Sequence, residues 1–143
     1  MKPSLLDLNV LLALAWPNHQ HHAEAHRWFS REARHGWATV GFTQLGFIRL
    51  SSNPAYTPNA VSPREAATLL RDLLSHTHHQ FWPMPPAANA DFYAKSLGHQ
   101  QVNDAYLVEV VRQRLGRLIT FDHRLNVHAE GTDLVHILRI SAS

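Results

Sequence analysis

Two short apolar runs in this chain each end on an aspartate. The stretch SLLDLNVLLAL at 4–14 carries Asp7, and LITFDHR at 118–124 carries Asp122. An unpaired charge in an apolar setting is costly, or its pKa shifts until it is neutral. These aspartates are therefore either helix caps or members of a site that wants negative charge. A third carboxylate, Asp104, opens NDAYLVEVVRQRLG, where Val108, Val111 and Leu115 follow at helical spacing as an apolar face. Asp104 thus belongs to a first helical turn, near the core side, where capping is again the ordinary use of aspartate. Three such carboxylates brought together would repel and protonate. A hard divalent cation removes the conflict, because Mg²⁺ is held by one or two carboxylates plus waters and keeps positions for a substrate phosphate. Such an ion lowers the pKa of a water and neutralises charge on a scissile phosphate, and one aspartate could accept a proton. Nucleophilic side-chain catalysis has little support, since the chain has no cysteine and no clear Ser–His–Asp spacing.

The elements that must position these residues alternate between strands and helices. Residues 4–7 read as a first strand, followed by an apolar helix over LNVLLALAW that Pro17 and Asn18 end. HQHHAEAHRWFSREARH is an amphipathic helix stopped by Gly36, and WATV at 37–40 a second strand. TQLGFIRLSS is a helix opened by Thr43. In SPREAATLLRDLLSHT, Ser62, Pro63 and Glu65 form a capping box with proline at the first helical position. HQFW at 79–82 is a third strand, prolines 83–86 a loop, and a short helix lies near 89–97. The Asp104 helix closes at Gly116. RLITF is the fourth strand and LVHIL at 134–138 the fifth. This order predicts one α/β domain over 1–143 with a mostly parallel sheet. Ligands of such sheets bind outside the carboxyl ends of strands, near a topological switch point. If the first and fourth strands are neighbours, Asp7 and Asp122 share one crevice.

Composition narrows the function classes. At 143 residues, 45% hydrophobic and 17% charged, the chain is an ordinary globular protein with room for a real core. The N-terminal apolar run is interrupted by Asp7 and Asn9 and lacks a signal-peptide cleavage pattern, and it is too short and polar to span a bilayer. The expectation is a soluble, cytoplasmic protein without membrane association. The net charge is +2, the basic residues are mostly arginine, and twelve histidines add charge as pH falls below about 6.5. Arginine forks suit phosphate, which is mild support for a nucleic-acid partner.

LLDLNVLLAL, WPNHQHHAEAHRWF, TQLGFIRLSSNP and NDAYLVEVVRQRLGRLITFD together resemble a PIN-domain ribonuclease, and within that group the VapC-type toxins of bacterial toxin–antitoxin pairs. The resemblance covers nearly the whole chain, and the order and spacing of its segments are more specific than any one of them. It implies a three-layer α/β/α sandwich with a central sheet of about five strands. It implies RNA cleavage with Mg²⁺, or Mn²⁺ as substitute, a cognate antitoxin partner, and a homodimer. The acids of the pattern fall on Asp7, Asp104 and Asp122, with Asn9 and Thr120 as supporting polar residues. Where the pattern has a glutamate at the start of the central helix, this chain has Gln44, which brings a carbonyl oxygen but no charge. Two other functions fit the same residues, because fold alone does not set function. One is a weakened module that binds RNA or protein without cutting; the other is a different Mg²⁺-dependent phosphoesterase.

The remaining motifs have plainer readings. His22 and His26, one turn apart, could pair on zinc, but spacing indicates no third ligand. Phe42, Phe47 and Ile48 are expected in the core, and Trp16, Trp28 and Trp37 in core or dimer contacts. Arg112, Arg114 and Arg117 could track phosphates or simply face solvent.

Overall fold

Alternation along the strands decides the layering. In β1 (Ser4–Leu6), Leu5 and Leu6 are both fully buried but belong to different cores. Leu6, Ile119 and Trp37 pack on one side of the sheet, Leu5, Leu118, Ala38 and Val40 on the other. Both faces must therefore be covered, as parallel sheets require. The structure, a computed structural model, describes residues 2–139. Its other strands are β2 (Trp37–Val40), β3 (His79–Trp82), β4 (Arg117–Thr120) and β5 (Val135–Ile137). All pairings are parallel, in the order β3-β2-β1-β4-β5. The first and fourth strands are neighbours, with Leu6 opposite Ile119. Chain order reverses between them, so the switch point lies where the sequence placed it.

The first layer holds α1 (Leu8–Ala15), α2 (His22–Glu32), α3 (Gly41–Ser51) and α4 (Pro63–Leu74). On the opposite face lie α5 (Val102–Gln113) and a 3₁₀ segment, His123–Ala129. This is the expected α/β/α sandwich. Among the described residues no helix is long and apolar enough to cross a membrane. Ser62 caps α4 as expected, its Oγ accepting from the Glu65 N–H at 3.1 Å.

Several boundaries differ from the sequence reading, each for a local reason. The first strand stops at Leu6, because Asp7 already caps α1. The helix expected from His19 starts at His22; before it, the His21 N–H donates to the His19 ring at 3.0 Å and closes a turn instead. It narrows to a 3₁₀ turn at Ala33–His35, and Gly36 leaves with φ of 95°. Helix α3 begins at Gly41 rather than at Thr43, whose hydroxyl is buried and donates back to the Val40 carbonyl. The helix near 89–97 is a 3₁₀ turn, Ala90–Tyr93. Asp104 is not the N-cap of α5, a place taken by Gln101. Val108 and Val111 are buried, but Leu115 is 78% exposed with φ of 54°, so it leaves the apolar face and takes the left-handed stop expected of Gly116. Gly116 is needed for space: a Cβ there would lie 2.8 Å from the Pro3 carbonyl oxygen and 2.9 Å from the Trp82 ring. Phe47, Trp28 and Trp37 fill the core, Trp16 is half-buried, and Phe42 is exposed, against expectation.

Candidate active site

Asp7 stands where β1 ends and α1 begins, 9% exposed. Its Oδ1 accepts from the Leu8 N–H at 2.8 Å and its Oδ2 from the Thr120 hydroxyl at 2.7 Å. Burial pushes the Asp7 carboxyl above its usual range; the two hydrogen bonds pull it back, and nearby Asp122 adds to the upward push. Thr120, at the end of β4 and fully buried, is the hub of this corner. Its oxygen also accepts from the Asn9 amide at 3.2 Å and from the Asp122 N–H at 3.0 Å. Asn9 completes the link by accepting from the Phe121 N–H at 3.2 Å. Asn9 and Thr120 thus lock the end of β1 to the end of β4 and aim both aspartates.

Asp122 caps the 3₁₀ segment that follows β4, accepting from the Arg124 N–H at 2.9 Å. The Arg124 guanidinium also grips it, and these bonds, first among the causes, hold its carboxyl below the usual range. Asp104 reaches the same region from the first turn of α5. Burial first, then the charges of Asp7 and Asp122, raise its carboxyl from 3.8 to about 6, with only partial relief from Arg124. The three predicted aspartates therefore feel one another at the switch point. They do not close into a ready cage, for among the described residues no three His, Asp or Glu side chains converge as metal ligands. Asp7 is turned to Thr120 and Asp122 to Arg124. The donor set nevertheless suits a hard cation. It is all oxygen, no hydrogen bond among the described residues offsets the charge of Asp104, and Mg²⁺ keeps most of its waters.

Gln44 lies in the first turn of α3, after β2, one strand over from Asp7. Its amide donates to the Thr39 hydroxyl at 3.0 Å, and that hydroxyl also meets the His79 ring at 2.8 Å. The structure thus ties Gln44 to β2 and β3 and gives it no hydrogen bond to the aspartates. The zinc pairing of His22 and His26 does not develop. Their rings lie 4.3 Å apart, but His22 bonds the Ala13 carbonyl and His26 the Leu14 carbonyl, covering the end of α1. Sequence reading missed Arg124; its position two residues after an aspartate was the available signal.

A family model described as PIN domain matches residues 4–131. The chain belongs to the PIN-domain family. It is 38% identical over 141 residues to Ribonuclease VapC39 of Mycobacterium tuberculosis, covering 94% of this chain and 99% of that protein. It is 40% identical over 119 residues to Ribonuclease VapC38 of the same species, covering 83% and 84% of the two chains. Among solved structures, VapBC2 from Rickettsia felis, bound to a promoter DNA fragment, is similar with a TM-score of 0.65. That match covers 96% of this chain and 99% of the other at 9% identity, and so speaks for the PIN fold alone.

Proposed function

We propose that this PIN-domain protein is a Mg²⁺-dependent endoribonuclease, with Mn²⁺ as a substitute, and the toxin of a toxin–antitoxin pair. The observation that carries the reading is the grouping of Asp7, Asp104 and Asp122, in which burial, then the charges of Asp7 and Asp122, lift Asp104 to about 6. The VapC relatives, named ribonucleases, support ribonuclease chemistry, and the VapBC2 neighbour supports a cognate antitoxin; a homodimer belongs to the same proposal. Asp7, Asp104 and Asp122 would hold the ion. When bound, it supplies charge stabilisation at the scissile phosphate and an activated water. Asp7 is kept in place by Leu8 and Thr120, so it orients without moving. Asp104, raised to about 6, is the group placed to accept a proton.

The deciding experiment incubates the purified protein with structured RNA, DNA of matching sequence and a small phosphodiester, with Mg²⁺, Mn²⁺ or a chelator. RNA alone should be cut, and only with metal. Cutting that survives chelation would discard the metal site. The uncharged Gln44 favours a second reading, an RNA- or protein-binding module without cleavage, which would retain RNA in every condition without shortening it.

Gln44 also yields a sharper expectation. An ionised glutamate there cannot donate to Thr39, and it adds charge at the end of the strand next to that of Asp7. Gln44→Glu should lower the melting temperature without metal and increase the stabilisation gained from added Mg²⁺. A tenfold gain in affinity, about 1.4 kcal/mol, is well within reach of titration. Gln44→Leu should weaken metal binding. If both variants bind Mg²⁺ as the parent does, Gln44 serves only the Thr39–His79 contact.

A further inference from the structure

Arg124 sits beside Asp122 with its side chain 84% exposed, yet its Nε and Nη2 both turn to that one carboxylate. Its Nε donates to Asp122 Oδ1 at 3.0 Å and to Oδ2 at 3.2 Å, and Nη2 donates to Oδ2 at 2.8 Å. The Arg124 backbone N–H adds a contact to Oδ1 at 2.9 Å. A carboxylate offers about four lone-pair positions. Three N–H groups of Arg124, one of them shared between the two oxygens, therefore occupy most of the lone-pair positions of Asp122. A cation that binds Asp122 competes with the guanidinium for these oxygens.

We propose that Arg124 is a latch on this site: without metal it holds Asp122, and metal entry frees its guanidinium to grip a phosphate of the substrate RNA. The inference rests on the metal-site reading above and adds a residue that the acidic pattern does not contain. Three features carry it. The guanidinium is exposed, so swinging away disturbs no packing, and an exposed pair is weak enough to exchange. The backbone N–H keeps capping Asp122 after the side chain leaves, so the 3₁₀ turn persists. The fork that matches a carboxylate also matches a phosphate, with two parallel N–H donors. The released side chain remains tethered two residues from Asp122, beside the place where a phosphate would meet the ion.

The test separates binding of metal from binding of RNA. Calorimetric titration with Mn²⁺, without RNA, compares the parent with Arg124→Ala and Arg124→Lys. The alanine variant should bind Mn²⁺ a few-fold more tightly, with lysine between the two. The gap should narrow in high salt, which screens the exposed pair. In cleavage assays at saturating Mn²⁺, alanine should raise KM several-fold, and lysine, which keeps the charge without the fork, should restore part of it. Unchanged or weaker Mn²⁺ binding by the alanine variant would overturn the latch. Tighter Mn²⁺ binding with an unchanged KM would overturn the phosphate role. If neither the parent nor the variants bind Mn²⁺, the metal-site reading itself fails, and the latch with it.

Discussion

Replacing Asp104 with asparagine is expected to abolish RNA cleavage while making the metal-free protein more stable. The two effects share one cause. Asp104 is pushed up to about 6 by burial and by the charges of Asp7 and Asp122. The folded chain therefore holds the Asp104 proton at pH values where the unfolded chain, near 3.8, has released it. Stability then falls as pH rises through that interval. Asp104 is only half-buried, so after solvent screening the cost at neutral pH is about 1–2 kcal/mol. Asparagine removes the charge at nearly the same size.

Melting curves across pH give the sign directly. At pH 7.5 without metal, Asp104→Asn should melt higher than the parent, by a few degrees. The difference should shrink below about pH 6 and vanish near pH 3, where the parent's carboxyl is also neutral. Saturating Mg²⁺ should reverse the order, because only the parent gains the full binding energy. Cleavage should fall by about 10²- to 10⁴-fold, the range for loss of a positioned proton acceptor. In the parent, cleavage should decline as pH drops through about 6. A variant that cuts RNA at the parental rate would remove Asp104 from the site, and one less stable without metal would show that it has a hidden structural partner.

The ends of β1 and β4 were legible because an aspartate closing an apolar run breaks its pattern, and parallel sheets keep their sites at that edge. Helix α4 was legible because Ser62 and Glu65 are neighbours in sequence as well as in space. What escaped depends on contacts that sequence spacing does not encode. Helix α3 has no side-chain cap, so nothing marked its start at Gly41. The partner of Gln44 is Thr39, set by how α3 leaves β2 rather than by any motif. The grip of Arg124 on Asp122 requires the tight turn after β4, and the sequence reading extended β4 through Phe121. Leu115 fitted the apolar spacing of α5 but lies beyond the helix, where it takes a left-handed conformation. The members of the acidic site were thus visible as types and positions. The bonds that aim them were not, since they join residues more than a hundred positions apart, as Asn9 and Asp7 do with Thr120.

Thr120→Val should be the most damaging single change at that junction, costing about 2–4 kcal/mol although valine has nearly the same shape. The hydroxyl donates to Asp7 Oδ2 and accepts from the Asn9 amide and the Asp122 N–H. Valine leaves all three without this partner; Thr120 is fully buried and Asp7 nearly so, while Asn9 and Asp122 are half-buried. An unsatisfied buried group costs its full desolvation, and more when it is charged. Thr120→Ser keeps the hydroxyl and loses one methyl, worth about 1 kcal/mol. Urea unfolding should therefore rank the parent above serine and serine above valine. The Thr120 bond is also the larger of the two that restrain the Asp7 carboxyl from rising further. With valine, Asp7 should hold its proton to higher pH, and an incoming cation must displace that proton. Mn²⁺ affinity should drop in the valine variant, recover partly as pH is raised, and stay near parental with serine. Equal unfolding free energies for valine and serine would mean that the hydroxyl does not organise this corner. A loss of affinity in valine that ignores pH would mean that Thr120 acts by placing Asp7 and Asp122, not by holding Asp7 ionised.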